Sequence, residues 1–302
     1  MLSGIGPKQH LETFGIPVIQ ALDVGHNLHD HCSYTELNFL LNQTATMVPD
    51  RTTAELFQEY ITNHTGPFSI PARFESIAFV KTPHSDLPAE YPDLEILLVS
   101  TYLNGENTNV GLQLLGLPQI MTDSIFVNFP GHDKFSLFPI IMRPKSRGRI
   151  SLKSSNPFVP PLMEPNYLSN PHDVTTLIDG MKMVIQIAES QSFTQYGSHL
   201  DPTPLAACSH LPFRTDPYWR CAVQQMGKNI HHQAGTCKMG PTCDPTAVVN
   251  PELQVHGVSN LRVVDASVIP LPVAGHTNGV VFMIGEKAAD MIKRHWARTE
   301  SC

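Results

Sequence analysis

Asn260-Leu-Arg-Val-Val-Asp265, then Gly275-His-Thr-Asn-Gly279, then the spaced apolar residues Val281, Ile284, Ala288, Met291 and Ile292 form the stretch that decides the fold. The first piece predicts a buried strand ending in a carboxylate. The last predicts a helix over 278–293 with one apolar side. Strand, loop and helix in that order are the syntax of an α/β layer. An acid at the C-terminal end of such a strand lies where ligands bind, and Asp265 could accept hydrogen bonds from ribose or ribityl hydroxyls. Read alone, it is no more than a turn aspartate. The helix start offers unpaired N–H groups and a partial positive charge, which suit an anion. Read alone, Thr277 or Asn278 is a helix cap.

Upstream lies His231-His-Gln-Ala-Gly-Thr236. Imidazole titrates nearest to neutrality, so His232 suits a general base, while the following Gly and Thr let backbone approach a ligand. His276 stands at the mouth of the helix start. If the two histidines serve one site, they lie within about 10 Å of each other, the reach of one bridging substrate or water.

Further upstream, helices are predicted over 7–14, where Pro7 suits the first turn and Gly15 the position past the end, and over 53–62, 172–189 and 216–227. The third of these is the clearest. Val174, Leu177, Ile178, Met181, Val184, Ile185 and Ala188 recur at steps of three and four, making one core-facing stripe. Asp93–Val99, Phe135–Met142 and Gly148–Leu152 read as strands, the last two flanking a basic turn. The middle is thus α+β and the end α/β, as when one domain is spliced into another.

The chain has 302 residues, 41% hydrophobic and 16% charged, with a formal net charge of -7. That length buries a substantial core. The acidic balance argues against nucleic acid as a partner, since phosphate contacts need clustered cations. Arg143-Pro-Lys-Ser-Arg-Gly-Arg149 is short and broken by Pro and Gly, as in a turn. No apolar run approaches the ~20 residues of a membrane span. Met1-Leu-Ser-Gly-Ile-Gly-Pro7 has neither a basic nor an apolar region of the kind that makes a signal peptide. Two sequons, Asn42-Gln-Thr44 and Asn63-His-Thr65, are open to glycosylation only on a secretory route. His231, Cys237 and Cys243 sit close enough in sequence to suggest zinc, but without a second cluster no metal is expected.

Taken together, the tail is similar to the glucose-methanol-choline (GMC) oxidoreductases. The matching segments are His232-Gln-Ala-Gly-Thr-Cys-Lys-Met-Gly240, Ala247–Gly257, Leu261-Arg-Val-Val-Asp-Ala-Ser267, Gly275-His-Thr-Asn278 and Ile284-Gly-Glu-Lys-Ala-Ala-Asp290. The front matches in Leu2-Ser-Gly-Ile-Gly-Pro7, His10-Leu11 and Gly25-x-Asn-Leu-x-Asp-His31. Tyr60–Pro67 and Pro144-Lys-Ser-Arg-Gly148 look most like the insect branch, the FAD-dependent glucose and alcohol dehydrogenases.

The resemblance implies the C-terminal part of an FAD-binding Rossmann-like domain with an inserted antiparallel-sheet substrate domain. The expected divisions are 1–31 for a remnant of the FAD-binding domain, 32–200 for the substrate domain, and 201–302 for the returning segment. The implied activity is FAD-dependent oxidation of the CH–OH group of a small alcohol, with quinone or oxygen as electron acceptor. His232 is the implied base, and His276 the implied hydrogen-bond partner of the substrate oxygen. Asp265, Ala266, Asn278 and Gly279 are the implied cofactor contacts. His231 stands where relatives carry an aromatic residue. Cys208 and Cys221 match paired positions in the insect branch, which implies a disulfide.

One departure is large. Relatives begin with a Gly-x-Gly-x-x-Gly turn for the ADP half of FAD, and this sequence contains none. The chain therefore reads as a truncated form. Its sequons and insect-like features point to a secreted parent. The alternative to an enzyme is a non-catalytic fragment or binding module lacking the phosphate loop.

Overall fold

The computed structural model describes residues 1–43, 53–69, 74–99 and 133–299. Its longer helices are α1 (Lys8–Thr13), α2 (Thr53–Asn63), α3 (Pro171–Ala188), α4 (Asp216–Met226) and α5 (Thr277–Thr299). Each lies where the sequence predicts one, and α5 runs six residues past its expected end at Lys293. The chain divides into two compact units. One comprises Met1–Cys32, Met142–Asp173 and Asn229–Cys302, and the other Ser33–Ile141 and Val174–Lys228.

The second unit is built on an antiparallel sheet of β1 (Asn38–Leu41), β2 (Phe74–Val80), β3 (Leu94–Val99), β4 (Asp133–Ile141) and β5 (His199–Leu200). The spatial order is β5, β1, β4, β3, β2, every pair antiparallel. Phe39 sits opposite Phe135, and Leu94 opposite Ile141. The aliphatic β3 is buried along nearly all its length, as expected of a central strand. Every apolar residue of the α3 stripe is buried. At Gly180 the helix comes so close that an added Cβ would lie 2.7 Å from a Leu94 methyl and 3.0 Å from Pro139. Glycine is therefore where α3 meets the sheet. In the same unit Cys208 and Cys221 form the implied disulfide, with Cα atoms 5.9 Å apart. It ties a short 3₁₀ turn, Ala206–Cys208, to α4. Of the sequons, Asn63 ends α2 in an exposed position, while Thr44 lies outside the described residues.

The first unit holds a core of Ala234, Val248, Val249, Leu253, Val255, Val268, Ile269, Ile284 and Ala288. Ile5–Gly6 pairs in parallel with Gln20–Ala21, and Arg149–Ser151 pairs antiparallel with Leu162–Glu164. One expectation is corrected: residues 260–265 form no sheet strand. Asn260 takes a left-handed turn at φ 57. The chain then folds back on 253–255 through an isolated bridge, Gln254 to Arg262, and the backbone bonds Val255 to Leu261 and Val263 to Leu253. An apolar run becomes a strand only when a partner supplies a ladder, and here the nearest partner is the local hairpin-like return. The fold class nonetheless holds: a mixed α/β chain with an antiparallel sheet.

Candidate active site

The site is built within the first unit, from three segments distant in sequence. Residues 27–31 run antiparallel to residues 230–235. His29 and Ala234 exchange backbone hydrogen bonds of 3.0 and 2.9 Å, and Ile230 N–H donates to the His31 carbonyl at 3.1 Å. The approach is tight enough to require Gly235. Its φ is +96, and a Cβ there would meet the Asn27 carbonyl at 2.4 Å. The same loop is stitched on its other side to the 3₁₀ turn Ala266–Val268. Gly235, Cys237 and Met239 donate to the carbonyls of Ala266, Ser267 and Val268 at 3.3, 2.8 and 3.0 Å.

Asp30 anchors this crossing. It is 3% exposed. Its Oδ1 accepts from the backbone N–H of His232 at 2.8 Å. Its Oδ2 accepts from the Tyr167 hydroxyl and from Asn229 Nδ2, both at 2.8 Å. A buried carboxylate needs such donors, and these three fix the backbone that carries His232.

Three histidine rings then line up. The His31 and His232 rings stand edge to face with centroids 5.1 Å apart, and the His232 and His276 rings likewise at 4.8 Å. His232 and His276 are thus brought together as the sequence expects, well inside 10 Å. Burial, reinforced by the neighbouring His31 and His276 and opposed by Asp30, lowers the His232 pKa to about 4. Burial also holds His29 and His31 at about 4. At neutral pH the buried rings of His29 and His31 and the half-buried ring of His232 are uncharged, and an uncharged His232 is able to take a proton.

The expected cofactor contacts lie on the same unit. Asp265 is exposed and caps the 3₁₀ turn, accepting from Ser267 N–H at 2.8 Å. Ala266 opens that turn. Asn278 and Gly279 lie exposed in the first turn of α5, directly after His276 and Thr277. A Cβ at Gly275 or at Gly279 would meet no atom within 4 Å, so this face of the helix start is open. His231 is exposed, in a left-handed conformation at φ 62. Among the described residues no group of three or more His, Cys, Asp or Glu is placed to hold a metal ion.

Sequence reasoning assigns no role to Asp30, His31 or Tyr167. Asp30 and His31 close the Gly25-x-Asn-Leu-x-Asp-His31 match, the one signal that could have pointed to them.

Residues 144–285 match the family model described as GMC oxidoreductase. The chain is 37% identical over 297 residues to a glucose dehydrogenase [FAD, quinone] of Drosophila melanogaster, covering 98% of this chain and 45% of that protein. It is 33% identical to an ecdysone oxidase of Bombyx mori, over 98% of this chain and 42% of that one. The structure of a formate oxidase superposes with a TM-score of 0.74 at 26% identity, over 97% of this chain and 51% of that one. The chain spans about half the length of the curated relatives it matches. Front and tail motifs, fold and relatives agree: over residues 144–285 the chain carries the C-terminal domain of the GMC oxidoreductases.

Proposed function

We propose that this chain carries the proton-accepting half of an FAD-dependent oxidoreductase acting on the CH–OH group of a small alcohol. The observation that carries the reading is the pairing of an uncharged His232 with His276, ring centroids 4.8 Å apart. His232 takes the hydroxyl proton, and His276 holds the substrate oxygen as negative charge develops there. FAD supplies the hydride acceptor when bound. Quinone or oxygen is the class of final electron acceptor.

The residues fit the ring end of that cofactor. The open glycines at 275 and 279 leave room for a flat group, and the α5 start favours its anionic edge. On this reading Asp265 and Ala266 meet the ribityl and pyrophosphate portion, and Asn278 and Gly279 the ring. The unit of Ser33–Ile141 and Val174–Lys228 then serves as the substrate domain, and the unit that carries the histidines as the flavin side.

A second reading rests on one sequence feature. These 302 residues hold no Gly-x-Gly-x-x-Gly turn, the usual phosphate cradle for the ADP half, as in a non-catalytic binding module. Titrating FAD into the purified 302-residue chain separates the two. On the enzymatic reading, a bound-flavin absorbance spectrum appears, the unfolding temperature rises, and alcohol bleaches the flavin. His232→Ala then slows bleaching by on the order of 10²–10⁴-fold. A soluble chain that leaves the flavin spectrum and the unfolding temperature unchanged favours the binding module.

A further inference from the structure

His31 is 2% exposed, and both its ring nitrogens are engaged. Nε2 lies 2.9 Å from the Val273 carbonyl. A carbonyl can only accept, so Nε2 carries the hydrogen. Nδ1 of His31 lies 2.9 Å from Nδ1 of His232. A neutral imidazole has a single N–H, so His31 Nδ1 is an acceptor and His232 Nδ1 is the donor to it. His232 is then the Nδ1–H tautomer, with its lone pair at Nε2, across the ring from His31.

His31 is uncharged at neutral pH because burial, outweighing the opposing pull of the Val273 and Met142 carbonyls, lowers its pKa to about 4. Two consecutive residues therefore grip the same partner. Asp30 fixes the His232 backbone, and His31 fixes the ring.

We propose that His31 is a positioning residue that locks His232 in the Nδ1–H tautomer and so presents the Nε2 lone pair to the substrate hydroxyl. The proposal rests on the reading of His232 as the base. When the hydroxyl proton moves to Nε2, the O–H bond breaks, an Nε2–H bond forms, and the alkoxide electrons remain on substrate oxygen. His232 becomes an imidazolium whose Nδ1–H is still accepted by His31. Had His31 presented an N–H at Nδ1, His232 would carry its hydrogen on Nε2 and could not take another there. The hydrogen on His31 Nε2, fixed by the Val273 carbonyl, prevents this. The loop before α5 thus helps decide the protonation of a ring carried on a different loop.

The test is histidine-selective ¹⁵N NMR on the whole chain at pH 7.5, with the His232 signals identified by their loss in His232→Gln. The expected spectrum shows a protonated Nδ1 and an unprotonated Nε2 on His232. His31→Leu removes the acceptor and shifts His232 toward the Nε2–H form. His31→Asn places a side-chain carbonyl near the lost Nδ1 and restores the Nδ1–H form. A wild-type His232 protonated on Nε2 overturns the proposal, and so does a tautomer unchanged in His31→Leu. Should His31→Leu not fold, the wild-type and His31→Asn spectra still decide. The tautomer is read without flavin or substrate, so its failure is distinct from failure of the base assignment, which alcohol-driven bleaching reports.

Discussion

At the scale of single residues, the site is costly to charge. His29, His31 and His232 each have a pKa lowered from 6.5 to about 4, with burial the largest cause. Between those values the unfolded chain binds protons that the folded chain refuses. Stability is therefore fully present above about 6.5 and is lost as pH falls toward about 4. Each tenfold loss of proton affinity on folding corresponds to about 1.4 kcal/mol, and the close rings share the effect rather than adding it. The expected outcome is an unfolding temperature that drops steeply between pH 6.5 and 4, with a shallower drop in His29→Gln. A flat profile across that window sinks the argument. His29 and His31 are not legible as site residues in sequence, for a physical reason. His31 meets His232 across 201 positions and His29 meets Ile269 across 240, whereas periodicity records only an element's own face. His232 and His276 are legible because the motif around each is local.

At the scale of elements, the same distinction explains what was readable. The α3 stripe shows in sequence because a helix repeats its buried face every three or four residues, whatever it packs against. The run at 260–265 reads as a strand because it is aliphatic, yet strand formation depends on a partner that its own residues do not name. The left-handed turn at Asn260 supplies a short local one instead. Gly180 shows a third case. Helix propensity alone favours Ala there by about 1 kcal/mol. Packing opposes it, because the new methyl would press on Leu94 and Pro139. Leu94 is fully buried with little room to retreat, so packing wins. Gly180→Ala is expected to destabilise the fold by a net of about 1–3 kcal/mol, measured by denaturant unfolding. A stabilised variant would mean that the contact between α3 and β3 relaxes at no cost.

At the scale of the molecule, two kinds of stabilisation fall in two different units. The acid-sensitive histidines belong to the first, together with the core around Val249 and Val268. The Cys208–Cys221 disulfide belongs to the second, where it closes a loop with a sequence separation of 13. By loop-closure entropy a bridge of that span contributes about 3 kcal/mol. It does so beside a buried aromatic pair, Tyr218 and Trp219, with the Tyr218 hydroxyl accepting from Leu205 N–H at 2.8 Å. Each unit having its own core, the two perturbations should loosen different places. Hydrogen exchange read peptide by peptide separates them. Reduction is expected to speed exchange in α4 and around Ala206–Cys208, while leaving residues 27–31 and 230–234 protected. Acidification from pH 6.5 toward 4, corrected for the intrinsic pH dependence of exchange, is expected to do the reverse. If either treatment loosens both sets equally, the units unfold as one, and the histidine site then draws its rigidity from the whole chain rather than from the crossing of residues 27–31 with 230–235.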